Sequence, residues 1–304
     1  MEIPPYPVSR PLGRGDKALL DSLFTTIQPR ISELTFAGLF LFRKAHEYRL
    51  AQFGDSIIVF GTGYDGAPYF LPPLGGDVSA SLNSMFADGL HLYGADDRFV
   101  DTFLSGDTLH VIELRDSHDY LYLRDELATL PGSRFHKKKN RINYFTNRHS
   151  HTVELYSSIH LTGCLNLLEK WQLSARNDAG RSLQLEMEAT AEALRCADEL
   201  GLEGVVVIVN DQVGAFALGE RLNKDTAVCH FEKADPFCEG LYQLVNREFA
   251  RLLFQDCRYL NREQDLGDTG LRSAKLSYHP VELVKKYLVT CRDNKHFVAL
   301  CKKA

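Results

Sequence analysis

The stretch that decides the fold runs from Asp225 to Asp265, DTAVCHFEKADPFCEGLYQLVNREFARLLFQDCRYLNREQD. Asp225 to Phe231 reads as a strand, and Pro236 interrupts the pattern with a loop. From about Glu239, Leu241, Leu244, Val245, Phe249, Leu252 and Leu253 recur at helical spacing, and Arg258 to Leu260 is strand-like again. A strand, a helix and a parallel strand bring the carboxyl ends of both strands to the same sheet edge. Two polar runs are therefore expected to meet there: His230-Phe231-Glu232-Lys233-Ala234-Asp235 and Asn261-Arg262-Glu263-Gln264-Asp265. The helix N-terminus points to that edge and favours an anion by about 0.3–1 kcal/mol. Lys275, Ser277, Tyr278 and His279 follow shortly. A plainer reading makes the charged residues a structural ion-pair network, since polar groups packed at strand ends must be paired. On that reading Tyr278 packs and His279 only makes the turn before Pro280.

Outward from this unit, Leu183 to Leu200 forms an amphipathic helix stopped by Gly201. Val205 to Val209 is a β-branched run suited to a strand buried on both faces, and Asn210-Asp211 turns it into Val213 to Leu218. Leu271 to Leu276 reads as a helix, and Leu283 to Cys301 as two strands joined by Asp293-Asn294. The first half offers a helix from Asp16 to Pro29, a dense apolar run at 36–42, and strands Ser56 to Phe60 and Ala67 to Leu71. A helix over Ser79 to Phe86, a strand over Leu109 to Leu114 and a helix over Leu121 to Leu130 follow. Both halves run helix, hairpin, helix, strand, so a structural duplication is expected, with residues 1–150 as one domain and 151–304 as the other.

Composition removes other classes. The 304 residues are 25% charged and 44% hydrophobic with a net charge of −5, so the chain is globular, and contact with nucleic acid or anionic lipid must be local. Met1 to Arg10 carries three prolines and no apolar core, and the longest mostly apolar run, Leu34 to Phe42, is far below the ~18–20 residues of a membrane span. No membrane anchor is expected. Seven cysteines without a C-x-x-C read as reduced thiols, hence a cytoplasmic setting.

Three further motifs bear on function. Gly61-Thr62-Gly63-Tyr64-Asp65-Gly66 matches a dinucleotide fingerprint, but Pro68, Pro72 and Pro73 follow where a helix must start, so a hairpin is expected. His149-x-His151 with His160 lacks both a helical metal spacing and a nearby acid, and no metal site is expected. Arg134 to Arg148 holds six Lys or Arg and no acid. With Ser133 as cap and Phe135, Ile142 and Phe145 on one side, it is a packed helix with a cationic ridge. The ridge is either a solvated face or a phosphate-binding surface of Arg134, His136, Lys137, Lys138, Lys139 and Arg141.

The segments Phe231 to Asp235, Gly240 to Gln243, Tyr259 to Gly267 and Gly270 to Pro280, together with Arg134 to Asn143, resemble a bacterial domain family related to the C-terminal domain of phosphatidylglycerol lysyltransferases. The likeness covers most of the chain. It implies an α/β (α+β) fold of two tandem domains like the GCN5-related N-acetyltransferases (GNAT), as in the Fem peptidyltransferases. Each is a mixed, mostly antiparallel sheet flanked by helices. It further implies transfer of an acyl or aminoacyl group, often from charged tRNA, to an amine or hydroxyl. Such chemistry needs a base, oxyanion donors and an acid. By this resemblance Glu232 or Glu263 is the base or amine anchor and Tyr278 the acid, while Lys233, Arg262 and Lys275 hold phosphate or carboxylate. Asp235, Tyr242, Asn261, Gln264, Asp265, Ser277 and His279 complete the donor or substrate site. Relatives that use acetyl-CoA carry a Gly-rich loop after the equivalent strand. Here Lys233 to Gln243 has one glycine, Gly240, and contains Pro236, which favours aminoacyl-tRNA over acyl-CoA as donor. The membrane lysyltransferase carries a transmembrane portion that this chain lacks, so lipid modification is not implied. The alternative from another class is a non-catalytic RNA- or nucleotide-binding module that keeps the fold.

Overall fold

The computed structural model describes residues 2–104, 108–174 and 181–291. Fourteen strands occur in these segments: β1 (Arg10–Pro11), β2 (Arg49–Phe53), β3 (Ser56–Thr62), β4 (Pro68–Phe70), β5 (His91–Ala95), β6 (Leu109–Glu113), β7 (Asp119–Leu123), β8 (His151–Leu155), β9 (Glu203–Val209), β10 (Gln212–Arg221), β11 (Thr226–Ala234), β12 (Tyr259–Asn261), β13 (Glu282–Val284) and β14 (Tyr287–Cys291). They form two seven-stranded mixed sheets, in the orders β1-β2-β3-β4-β5-β14-β6 and β13-β7-β12-β11-β10-β9-β8.

In the first unit, helices Lys17–Ile27, Phe36–His46 and Val78–Ala87 form where apolar residues recur at helical spacing. Asp77 and Thr35 cap the last two by accepting backbone N–H groups. The glycine motif is a hairpin, as expected: Phe60 pairs with Phe70 and Thr62 with Pro68, and Gly63 N–H donates to the Ala67 carbonyl at 2.9 Å. Ile58, Phe70, Met85, Leu92 and Val289 share the core. Val289 lies on β14, which inserts antiparallel between β5 and β6 and completes this sheet.

That insertion moves the expected division of the chain. The compact units are residues up to 119 together with the returning β14, and Tyr120–Leu283. The basic helix, His136–Thr146, lies inside the second unit rather than closing the first. Its Ile142 and Phe145 join a core with Leu241, Leu244, Val245 and Phe249 of the helix Leu241–Leu252. Leu121 to Leu130 is likewise not one helix. Tyr120 and Tyr122 sit in β7 against β12, and the helix covers only Arg124–Thr129. An alternating aromatic pattern is at home in a strand, which the apolar count alone concealed. The turn proposed at Asp293-Asn294, and Cys301, lie outside the described residues.

Candidate functional site

The site begins where two parallel strands part. β11 and β12 pair only at Thr226↔Tyr259, Ala227↔Leu260 and Val228↔Asn261, after which β11 continues to Ala234 along β10 alone. On β10, Gly219 is opposite Cys229 and Leu218 is opposite Phe231, so His230 is an extra, bulged residue. One extra residue reverses the alternation of faces. Ala227 and Cys229 before the bulge and Ala234 after it all pack in the core built on helix Leu241–Leu252. The bulge thus turns Glu232 toward that helix and Lys233 away from it. Gly219 permits the bend, because a Cβ there would collide with the Val228 carbonyl oxygen.

Glu232 is the centre of the arrangement. Arg262 Nη2 donates to its two carboxylate oxygens at 3.1 and 3.3 Å, and Asn246 Nδ2, from the helix, donates at 2.9 Å. Glu232 and Arg262 keep 14% and 13% of their side-chain surface, whereas Asn246 keeps 1% of its residue surface. Burial works against the Arg262 charge, but Glu232 raises its pKa further above an already high value. Two atoms here have no hydrogen-bond partner although buried: Arg262 Nη1 and Asn246 Oδ1. Each such atom costs about 1–3 kcal/mol.

Tyr278 lies between two cations. The Arg262 guanidinium is 5.0 Å from its ring centroid and Lys138 Nζ is 4.0 Å. Lys138 also donates to Ser277 Oγ at 2.6 Å. Burial, with Arg262 and Arg141 nearby, lowers the Lys138 pKa to about 8. Burial raises the Tyr278 phenol well above its ordinary value, so the ring is neutral. The basic helix therefore reaches the strand-end site through one lysine.

The remaining expected residues divide. Glu263 does not join Glu232. His230 Nδ1 holds it at 2.7 Å and His230 Nε2 holds Glu220 at 2.9 Å, so the imidazole is clamped between two carboxylates. Burial would lower the His230 pKa, but those bonds raise it to about 10. Of the three expected acid–base residues, Glu232 and Tyr278 thus meet at Arg262 and Glu263 does not, because the bulge aims His230 and Glu232 at different partners. Lys275 is 7% exposed and donates to the carbonyls of Arg262, Glu263 and Gln264 at 2.6, 3.1 and 2.5 Å. It fixes the loop rather than facing solvent. Asn261 Oδ1 accepts from Glu263 N–H at 2.7 Å, and Asp265 accepts from Arg272, Tyr120 and Gly267 N–H. Despite burial, these bonds from Arg272 and Tyr120 hold the Asp265 carboxyl well below the usual range.

On the other face, Lys233 pairs with Glu186 at 2.7 Å and sits 4.0 Å over the Trp171 ring, whose Nε1 donates to Tyr242 Oη at 2.7 Å. Asp235 accepts from Lys170 at 2.5 Å. An open cavity of about 380 Å³ near this face is lined by Asn166, Lys170, Leu173 and Phe237, and holds none of the expected acid–base residues. His279 lies edge-on to Phe135 and adopts φ 57° at its turn. Arg134 pairs with Glu126, and Arg141 with Glu239 at 3.5 Å, while Lys139 donates to the Gly132 carbonyl at 3.2 Å. His136 and Lys137 are exposed. His151 and His160 bond locally, to the His149 carbonyl and to Ser157 and Glu154, and among the described residues no His, Cys, Asp or Glu group is arranged to hold a metal.

His230 was expected only as the first residue of a strand-end polar run, and Asn246 not at all. Asn246 had a signal: it falls at helical spacing from Tyr242 and Phe249 and borders the apolar stripe, where an amide needs a reason.

Two mixed sheets flanked by helices, with a parallel pair that splays, make a fold of the tandem GNAT-like kind. The chain belongs to the family described as phosphatidylglycerol lysyltransferase, C-terminal, whose model matches residues 24–290. Among solved structures, a Bacteroides thetaiotaomicron protein of unknown function is 29% identical with a TM-score of 0.87, covering 93% of this chain and 99% of that one. L-PGS of Bacillus licheniformis is 14% identical with a TM-score of 0.63, covering 99% and 97%. FemX shares the fold at 8% identity and a TM-score of 0.55, covering 97% and 100%. A curated protein of Mycoplasmoides gallisepticum is 27% identical over 175 residues, and the chain spans 56% of that relative's length. Among the described residues, no helix is long and apolar enough to cross a membrane.

Proposed function

We propose that the chain transfers an aminoacyl or acyl group from an activated ester donor, aminoacyl-tRNA in preference to acyl-CoA, to an amine or hydroxyl in the cytoplasm. The observation that carries this reading is the Glu232–Arg262–Asn246 cluster at the splayed strand end, with a guanidinium N–H buried and unpartnered beside a carboxylate. A buried, positioned N–H donor is what an oxyanion needs. Glu232 serves as base or amine anchor, Arg262 as oxyanion donor, and Tyr278, neutral between Lys138 and Arg262, as proton donor to the leaving group. Lys138, Ser277 and Arg141 line the route from the basic helix, whose exposed His136 and Lys137, with Arg134 and Lys139, contact donor phosphates. Lys233, Asp235 and Tyr242 lie at the same strand end as donor contacts. The closed set Glu263, Lys275, Asn261, Gln264 and Asp265 shapes the loop that carries Arg262, and His279 packs on Phe135.

The test is a transfer assay with tRNA charged with labelled amino acids, a panel of acyl-CoAs, and cell-extract fractions as acceptors. Wild-type protein is expected to discharge an aminoacyl-tRNA onto an acceptor faster than spontaneous hydrolysis. Arg262→Lys keeps the charge but loses the fork, and is expected to lower that rate by about 10²–10³ while the fold persists. Stability of every charged tRNA and every acyl-CoA in the presence of the wild-type protein overturns the reading.

A further inference from the structure

The ladder between β11 and β12 ends at Val228↔Asn261, and beyond it the two strand ends meet through side chains. β11 brings a cation at His230 and an anion at Glu232. The loop after β12 brings a cation at Arg262 and an anion at Glu263. His230 Nδ1 bonds Glu263 at 2.7 Å, and Arg262 Nη2 bonds Glu232 at 3.1 Å. The opposite match would set Glu232 against Glu263 and His230 against Arg262, like charge on like, so the order of charges admits one arrangement. Burial opposes the His230 charge, but the bonds to Glu220 and Glu263 raise its pKa to about 10, so both ring nitrogens donate at neutral pH.

The two carboxylates on this imidazolium are not equivalent. Glu220 lies on β10, 2.9 Å from His230 Nε2. Glu263 is the residue after Arg262 and sits at φ 55°, a left-handed conformation that a side chain disfavours. Its N–H donates to Asn261 Oδ1 at 2.7 Å, and its carbonyl accepts from Tyr120 N–H at 3.2 Å and Lys275 Nζ at 3.1 Å. These bonds hold the turn itself. The Glu263 side chain then ties that turn across the gap to β11, one residue from the guanidinium.

We propose that His230 and Glu263 are a positioning pair for Arg262: their bond sets the separation of the strand ends, and with it which N–H of the guanidinium meets Glu232 and which is left over. Glu263 is then a positioning residue rather than the base. The effect on rate rests on the transfer reading above, whereas the effect on the guanidinium does not. A misplacement of about 1 Å in a group that contacts the reacting atoms costs up to about 10² in rate.

Glu263→Gln and Glu220→Gln each take one charge from the same imidazolium and keep the length of the side chain. In the full chain both are expected to lower the denaturant midpoint. Only Glu263→Gln is expected to shift or broaden the Arg262 guanidinium signal in nitrogen-resolved NMR spectra, where that signal is identified by its loss in Arg262→Lys. In the transfer assay Glu263→Gln is expected to lower kcat by about 10–10² with KM for charged tRNA held within about twofold, and Glu220→Gln to keep both within about twofold. His230→Gln cuts the same bond from the other side and is expected to move the Arg262 signal likewise, so it decides the matter where Glu263→Gln does not fold. A signal and a kcat that respond equally to Glu220→Gln and Glu263→Gln, or to neither, overturn the positioning pair and leave a structural ion cluster. A guanidinium that follows Glu263 in a protein that discharges no donor sinks the transfer reading alone. Transfer with a guanidinium indifferent to Glu263 and His230 sinks the positioning pair alone.

Discussion

Each unit buries a cation against carboxylates, and the two clusters are finished differently. In the first unit Lys286 is fully buried, with Nζ 2.7 Å from Asp119 Oδ1 and 2.6 and 2.8 Å from the two oxygens of Glu33. The second Asp119 oxygen accepts from Ser32 N–H at 2.7 Å, and Ser32 Oγ donates to Asp119 Oδ1 at 3.0 Å. Burial acts against the Lys286 charge, but Asp119 and Glu33 raise its pKa on balance. In the second unit Arg262 and Asn246 surround Glu232 and each keeps an atom in hand. The comparison teaches that a buried ion pair by itself indicates nothing about function. The first cluster closes its hydrogen bonds on itself, whereas the second leaves a donor and an acceptor unmet, which is the feature that the proposed function uses.

The largest expected effect breaks the closed cluster. Lys286→Met leaves Asp119 and Glu33 buried together without a counter-charge, and is expected to cost about 3–5 kcal/mol of stability. Denaturant unfolding reads this directly. A loss below about 1 kcal/mol would mean that Lys286 does not hold Asp119 and Glu33 in the fold. Arg262→Lys should lose far less stability and far more transfer, which is the contrast in its sharpest form.

The second unit's central crossover was legible because Val205–Val209 and Leu241–Leu252 obey simple periods, and because polar runs after two parallel strands can only meet at one edge. The hairpin at Gly61–Gly66 was equally plain from its prolines. Two things were not legible. The bulge at His230 decides which of Glu232 and Lys233 faces the helix, and a bulge leaves no period to count. The return of β14 to the first sheet is a contact distant in sequence, so a division by halves missed it. Lys275 shows the same limit: from sequence it is a cation near a site, and its three backbone acceptors emerge only from the path of the 262–264 loop.

An intermediate effect concerns a closed cluster within the second unit. The His230 pKa stands near 10 in the fold against an ordinary 6.5, so its charged form stabilises the protein. That contribution is complete below about pH 6.5 and declines as pH rises toward 10. His230→Gln keeps hydrogen bonding but removes the charge. It is expected to lose about 3 kcal/mol at pH 6 and progressively less above, so the two stability curves converge near pH 10. Parallel curves across that range would show that Glu220 and Glu263 do not hold an imidazolium.

The smallest effect has the opposite sign and sharpens the open side of the comparison. Lys138 titrates near 8 in the fold and near 10.5 in the unfolded chain, so its charged form is disfavoured where it sits. Between those values the unfolded chain binds more protons, and the wild-type protein gains stability with rising pH. Lys138→Met keeps an apolar stem over Tyr278 and removes the titration. It is expected to equal or exceed the wild type by under about 1 kcal/mol at pH 7, allowing for solvent screening of a half-buried group, and to lose that advantage by pH 10.5. The same change should weaken binding of charged tRNA at pH 7 and have little effect above pH 9, where Lys138 is already neutral. A variant that is destabilised at pH 7 and binds charged tRNA as well as the wild type would make Lys138 a packing residue and separate the basic helix from the strand-end site.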